Sequence, residues 1–132
     1  MYEFHGWFGL AQSPSEIDSG GLAGAIDDLR HVLVRFGPPH AVAAEVCPLN
    51  GQYFLWMNGF LNRPRDQEAA IDDVLGFLAE RLPGSWGIIY ERSDEWCEPP
   101  LANSFRVRVL TRGNVSTPDD PFLSPWQPTI ED

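Results

Sequence analysis

The chain contains no lysine; all nine of its cations are arginine. That absence removes the phosphate-binding lysine of a P-loop. The nearest glycine-rich stretch, Ser19-Gly20-Gly21-Leu22-Ala23-Gly24, also lacks dinucleotide-binding spacing. Arginine-only usage is read as the mark of a GC-rich genome, not of function. Cysteine is scarce: Cys47 and Cys97 lie far apart and fit no zinc or redox spacing. They are expected to be free thiols in a reducing cytosol, with a disulfide between them left open. No window approaches the ~20 apolar residues of a membrane span. No basic stretch followed by an apolar run marks a secretory signal. The expectation is a cytoplasmic protein with no membrane association.

Positive charge is in short supply as well. The formal net charge is −10, and it is unevenly placed. Residues 1–65 hold six acids and four arginines, whereas residues 66–132 hold thirteen acids and five arginines. A direct binder of nucleic acid or of an anionic membrane would carry the opposite sign. A negative field favours basic partners and raises their on-rate, although solubility alone accounts for such a charge equally well. The length suits a single domain, 1–132, that buries roughly two thirds of its unfolded surface without staples.

Periodicity then supplies the elements. Residues 2–10 alternate and are rich in aromatics, as in a strand, and Ser13-Pro14-Ser15 breaks it. Asp18 is the expected N-cap of a helix whose apolar stripe is Leu22, Ile26, Leu29, Leu33 and Phe36. Gly37-Pro38-Pro39 stops that helix. Residues 41–48 and 52–61 read as a hairpin about Asn50-Gly51. Asp66 is expected to cap a second helix with the stripe Ala70, Ile71, Val74, Leu75, Leu78 and Leu82, ended by Pro83-Gly84. Residues 86–92 form a strand. Phe105, Val107 and Val109 alternate with Arg106 and Arg108, which predicts a strand with a buried valine face and a wet, cationic face. Arg112-Gly113-Asn114 turns into the tail. The order β-α-β-β-α-β-β predicts an α+β fold: a mainly antiparallel sheet with two helices packed on one face.

Few residues suit catalysis. Gly84-Ser85-Trp86-Gly87 lacks the spacer of a nucleophile elbow, which argues against Ser85 as a nucleophile. His5, His31 and His40 are not spaced as a metal set, and no cofactor or metal is expected. His5 is expected to make a structural hydrogen bond that orients the first strand. Asp27-Asp28 and Asp72-Asp73 are adjacent on their helices and do not face each other, so a solvated face is the better reading. Glu91, Asp94, Glu95 and Glu98 form a looser cluster around Trp96. Carboxylates flanking an aromatic suit an Arg- or Lys-rich surface, and a mobile acidic loop without function explains them equally well. Trp7, Trp56, Trp86 and Trp126 are expected in the core or beneath the tail.

The final stretch, residues 119–132, is not a featureless polar tail. It carries Phe122, Leu123, Trp126 and Ile130, with Pro121, Pro125 and Pro128 fixing φ. Buried aromatics offset the entropy of ordering a terminus, so this tail is expected to pack along the domain. It runs Asp119-Asp120-Pro121-Phe122-Leu123-Ser124-Pro125 and closes Pro128-Thr129-Ile130-Glu131-Asp132. With it go His5-Gly6-Trp7, Leu49-Asn50-Gly51-Gln52-Tyr53-Phe54 and Pro83-Gly84-Ser85-Trp86-Gly87-Ile88-Ile89-Tyr90. In this order and in a chain of this length, the set resembles the immunity protein 7 family of bacterial polymorphic toxin systems. The resemblance covers nearly the whole chain. It implies a small cytoplasmic protein, not an enzyme, that binds and silences a cognate toxin, and it leaves the toxin unnamed.

The residues carrying the resemblance, His5, Gly6, Trp7, Asn50, Gly51, Pro83, Gly84, Pro121, Phe122, Pro125 and Pro128, are expected to be structural, because specificity must differ between cognate pairs. Charge and exposure place the partner surface at Asp94, Glu95, Trp96 and Glu98, with Asp72, Asp73 and Glu80 on the second helix. A basic nuclease is the expected toxin, with an ADP-ribosyltransferase as the alternative. A competing reading is a small-ligand or adaptor protein with a pocket between sheet and tail, lined by Tyr53, Trp56 and Arg108.

Overall fold

The structure is a computed structural model. It describes residues 1–13, 20–36, 42–62, 67–98 and 101–119. Among the described residues six strands form one sheet: β1 (Tyr2–Leu10), β2 (Val42–Leu49), β3 (Gln52–Leu61), β4 (Trp86–Ser93), β5 (Arg106–Thr111) and β6 (Asn114–Ser116). Their spatial order is β2-β3-β1-β4-β5-β6, and every neighbouring pair is antiparallel. Helix α1 (Leu22–Val32) links β1 to β2, and α2 (Gln67–Arg81) links β3 to β4. Each crossover skips one strand, so two split β-α-β units interleave, in the ferredoxin-like manner, and the β5–β6 hairpin extends the sheet.

The expected α+β architecture is therefore the observed one, with both helices on one face. The apolar stripe of α2 is buried along its length: Ala70, Ile71, Val74, Leu75, Leu78 and Leu82. It meets Ala25, Ile26, Leu29 and Leu33 from α1 and its following turn, over a floor of Tyr2, Phe4, Phe8, Val46, Leu55, Met57, Ile89 and Leu110. Each full burial of such a side chain contributes roughly 1.5–3 kcal/mol.

Boundaries differ from the sequence reading where backbone conformation decides them. Helix α1 begins at Leu22 with Gly21, not Asp18, as its N-cap, directly after Gly20 at φ +89°; Asp18 lies outside the described residues. It ends at Val32 and tightens into a single 3-10 turn over Leu33–Arg35. Asp66, the expected cap of α2, lies outside the described residues. Strand β2 runs through Pro48 to Leu49, which an edge strand tolerates because its outer N–H groups need no partner.

Two hairpins rest on paired positive φ angles. Asn50 and Gly51 have φ of 51° and 78°, the type I′ geometry whose twist matches flanking strands. Arg112 and Gly113 repeat it at 48° and 74°, so the chain does not run straight into the tail but returns as β6. The remainder of the tail, 120–132, lies outside the described residues.

Candidate functional site

The helical layer presents one carboxylate-rich face. Six acids (Asp27, Asp28, Glu68, Asp72, Asp73 and Glu80) share it with Arg30, Arg35 and Arg81. Asp27, Asp28, Asp72, Asp73 and Glu80 are exposed, as a solvated helix face requires. The arginines are already engaged: Arg81 reaches Asp28 at 2.7 Å, Arg35 pairs with Asp73, and Arg30 approaches Asp27 at 3.5 Å. Two of these pairs cross from one helix region to the other and hold the layer together.

Beside α2 lies a buried charge network that sequence reasoning did not assemble. Glu91 of β4 is completely buried on the helix side of the sheet. Its carboxylate accepts four bonds: from the Tyr2 hydroxyl (2.7 Å), Arg106 Nη2 (3.1 Å), Arg108 Nε (2.7 Å) and Arg108 Nη2 (2.8 Å). Arg108 also reaches Asp72 at 2.5 Å, and Arg106 reaches Glu68 at 3.4 Å. Burial, then the Glu91 charge, pushes the Tyr2 phenol far above its ordinary range. Burial alone would lower the Arg108 guanidinium, but the bonds to Glu91 and Asp72 outweigh it and raise it.

This geometry corrects two expectations. Arg106 and Arg108 do not form a wet face; they point to the helix side, and Val107 and Val109 point to the other. Glu91 is not part of a surface acidic cluster. The register places Glu91 directly opposite Arg106, and opposite charges facing across antiparallel strands were the signal available in the sequence.

The loop after β4 joins the same network. The Arg106 guanidinium sits 4.7 Å above the Trp96 ring, and Trp96 meets Tyr2 edge-on at 6.4 Å. Trp96 is half-buried against the core, which accounts for an aromatic in a polar loop. Asp94 pairs with the N-terminal ammonium, which holds its carboxyl below the usual range. Glu95 and Glu98 are exposed. Asp72 and the Trp96 loop are thus brought together through Arg108, Glu91 and Arg106. Asp73 and Glu80 follow the exposed side of α2, with Asp73 turned toward Arg35.

Among the described residues, no helix lies on the opposite face of the sheet. Trp7, Trp56, Phe60 and Trp86 are 42–52% exposed there, so these three tryptophans are not core residues. Trp7 stacks on Tyr90 (6.1 Å), Tyr90 meets Phe105 (6.0 Å), and Phe54 meets Trp86 (6.2 Å). Arg92 lies 5.5 Å over Phe60 and bonds Glu3 at 2.7 Å. His5 contacts Asn58 (2.9 Å) and Glu3 (2.7 Å) on this face, the structural role expected of it. Burial pushes Glu3 up, but the His5 and Arg92 bonds outweigh it and hold the carboxyl below its ordinary value of 4.5.

Other chemistry is accounted for locally. Ser85 is buried, and its Oγ accepts from the Ala11 N–H at 3.1 Å. Cys47 and Cys97 are free thiols. Among the described residues no group of three or more His, Cys, Asp or Glu is placed to hold a metal ion. No helix among them is long and apolar enough to cross a membrane. Trp56 and Arg108 lie on opposite faces of the sheet, so they cannot line one pocket with Tyr53. A groove of about 360 Å³ does exist elsewhere, between the turn after α1 and β2, lined by Arg30, Leu33, Val34, Ala44, Glu45 and Val46.

A small α+β protein with an acidic helical face, whose arginines are largely spent on internal pairs, has the character of a binding protein. The chain belongs to the Immunity protein 7 family, whose model matches residues 1–132, the whole length given. It is by that membership an immunity protein against a toxin. No curated protein and no solved structure matches it.

Proposed function

We propose that this chain neutralises its cognate toxin, a component of a polymorphic toxin system, by occluding the toxin's active site with an acidic surface, acting in the cytoplasm without catalysis of its own. The observation that carries the reading is the family match over the whole chain. The charge distribution supports the acidic contact. Arg30, Arg35, Arg81, Arg92, Arg106 and Arg108 each pair with a carboxylate of this chain. The surplus charge is therefore negative and sits largely on exposed acids. A nuclease toxin is basic where it holds nucleic acid, so it is the favoured partner over an ADP-ribosyltransferase. Neither nucleic acid nor membrane is a direct ligand of this surface.

The proposed contact comprises Asp72, Asp73 and Glu80 on α2 with Asp94, Glu95, Trp96 and Glu98 in the neighbouring loop. Asp72, Asp73 and Asp94 already have cationic partners in this chain, so Glu80, Glu95 and Glu98 have most charge to offer a partner. The test is the double charge reversal Glu80→Arg/Glu95→Arg, with toxin affinity measured across ionic strength. The expected result is at least a tenfold weaker complex, a lower on-rate and a flatter salt dependence. Unchanged affinity and salt slope, with an unchanged melting temperature, would remove this surface from the interface.

A further inference from the structure

We infer that the outer edge of β2 is a strand-docking site, where an extended segment of the toxin adds to the sheet with apolar side chains on one side and cationic side chains on the other. The inference rests on the reading that this chain binds a toxin, and it names a second contact for that partner.

The two edges of the sheet differ. Strand β6 is three residues long, and so short an edge resists pairing. Strand β2 runs eight residues in an unbroken one-to-one register with β3, so no bulge twists it away. Among the described residues β3 is its only neighbour in the sheet. The Asn50-Gly51 turn fixes which backbone groups face out. In a two-residue hairpin the closing pair, here Leu49 and Gln52, exchanges both bonds. By alternation Cys47, Glu45 and Ala43 also bond β3, whereas Val42, Ala44, Val46 and Pro48 turn their backbone groups outward. Pro48 removes one outward N–H beside the turn. Val42, Ala44 and Val46 keep theirs, a row of donors and acceptors that matches an incoming strand.

The same alternation sets what the two sides of an added strand meet. On the helix side lies the groove of about 360 Å³ between β2 and the turn after α1, with Leu33, Val34, Ala44 and Val46 as apolar walls. Arg30 at its rim is paired with Asp27. Val34 is 77% exposed, an apolar side chain open to a partner. On the other side Glu45, the one charged residue of β2, is exposed beside Trp56 of β3. Opposite charges across neighbouring strands favour pairing and like charges oppose it, so this edge admits a cationic strand. A second copy is disfavoured. Two-fold pairing of β2 on β2 brings both Glu45 side chains to one face and joins two chains of net charge −10. Arg35 follows Val34 in the turn and pairs with Asp73 of α2, so this contact adjoins the proposed α2 surface.

The probe is the toxic protein that copurifies with the tagged full-length chain from the native host. Residue-resolved hydrogen exchange, on the free chain and on that complex, reads the Ala44 and Val46 amides. The expected result is fast exchange of both in the free chain and strong protection in the complex. Ala44→Pro removes one outward N–H without touching the β3 ladder, as Pro48 already does, and Glu45→Arg reverses the edge charge. Each is expected to weaken the complex about tenfold while native circular dichroism is kept. If Ala44→Pro does not fold, amide protection and Glu45→Arg decide. Tight binding with both amides unprotected and the variants unimpaired would overturn the docking site and leave the toxin reading standing. Protection that appears on concentrating the chain alone would assign the edge to a second copy and overturn it too. Failure to recover any toxic partner would remove the toxin reading and this site with it.

Discussion

Replacing Glu91 with glutamine tests whether the buried network holds β4, β5 and α2 together. The substitution keeps volume and removes charge. Oε1 accepts from Tyr2, Arg106 and Arg108, while Oε2 accepts from Arg108 Nε alone. The amide oxygen best replaces Oε1, which leaves the amide NH2 facing Arg108 Nε, donor against donor, at the former 2.7 Å contact. Two guanidinium groups with 12% and 23% side-chain exposure then have only the rim carboxylates Asp72 and Glu68 as charged partners. Breaking a buried ion pair by removing one partner costs about 3–5 kcal/mol. The rim partners remain, so about 3 kcal/mol is the expected loss. With 132 residues at about 2.1 cal/mol/K each, the unfolding entropy is about 0.28 kcal/mol/K. The melting temperature should therefore fall by about 10 °C. Calorimetry and urea titration read this directly. A loss below about 1 kcal/mol, with native circular dichroism, would refute the view that Glu91 is the central tie of the network.

Three further outcomes follow from neighbouring contacts. Trp96→Ala should cost about 1–3 kcal/mol through the lost Arg106 stacking and Tyr2 edge contact, whereas Glu95→Arg alone should leave thermal melting nearly unchanged; equal effects would contradict the packing assigned to Trp96. Gly84→Ala should destabilise by about 1–3 kcal/mol, since a Cβ there would sit 2.2 Å from the Ser13 carbonyl oxygen, and a neutral result in urea titration would show that this junction yields freely. The pH profile should narrow at both ends. The Tyr2 phenol is raised in the fold, so its contribution is complete below the ordinary value of 10.0 and is lost as pH climbs above it. The Glu3 carboxyl is lowered, so its contribution is present above 4.5 and is lost as pH falls below that value. Tyr2→Phe should flatten the alkaline limb, and Glu3→Gln the acid limb, in stability measured against pH.

The legible parts of the fold are those set by local chemistry. Asn50-Gly51 demanded a type I′ hairpin, and the α2 stripe from Ala70 to Leu82 could be read to the residue. Arg112-Gly113 makes the same turn with a weaker signal, because arginine is an unusual first residue at positive φ, and so β6 was missed. Alternation in β5 showed that valines and arginines occupy different faces but not which face meets the helices. That choice depends on Glu91, fifteen residues away, being buried opposite Arg106. The tryptophans were expected in the core or beneath the tail, yet Trp7, Trp56 and Trp86 fall on the sheet face opposite α1 and α2 and are about half-exposed. For the candidate surface, exposure of the α2 acids was readable from helical period. The pairing of Asp72 with Arg108 and of Asp73 with Arg35, which spends part of their charge, needed the tertiary structure.

The proposed silencing of a toxin by this chain works through direct binding. Its most direct test is capture of the partner from a lysate of the native host on the tagged full-length chain, followed by expression of that partner alone and together with the chain. The expected partner is stoichiometric and basic, arrests growth alone, is harmless when this protein is co-expressed, and has its activity blocked in the purified complex. A stoichiometric partner that is harmless alone, or a toxic one whose activity persists in the complex, would contradict it.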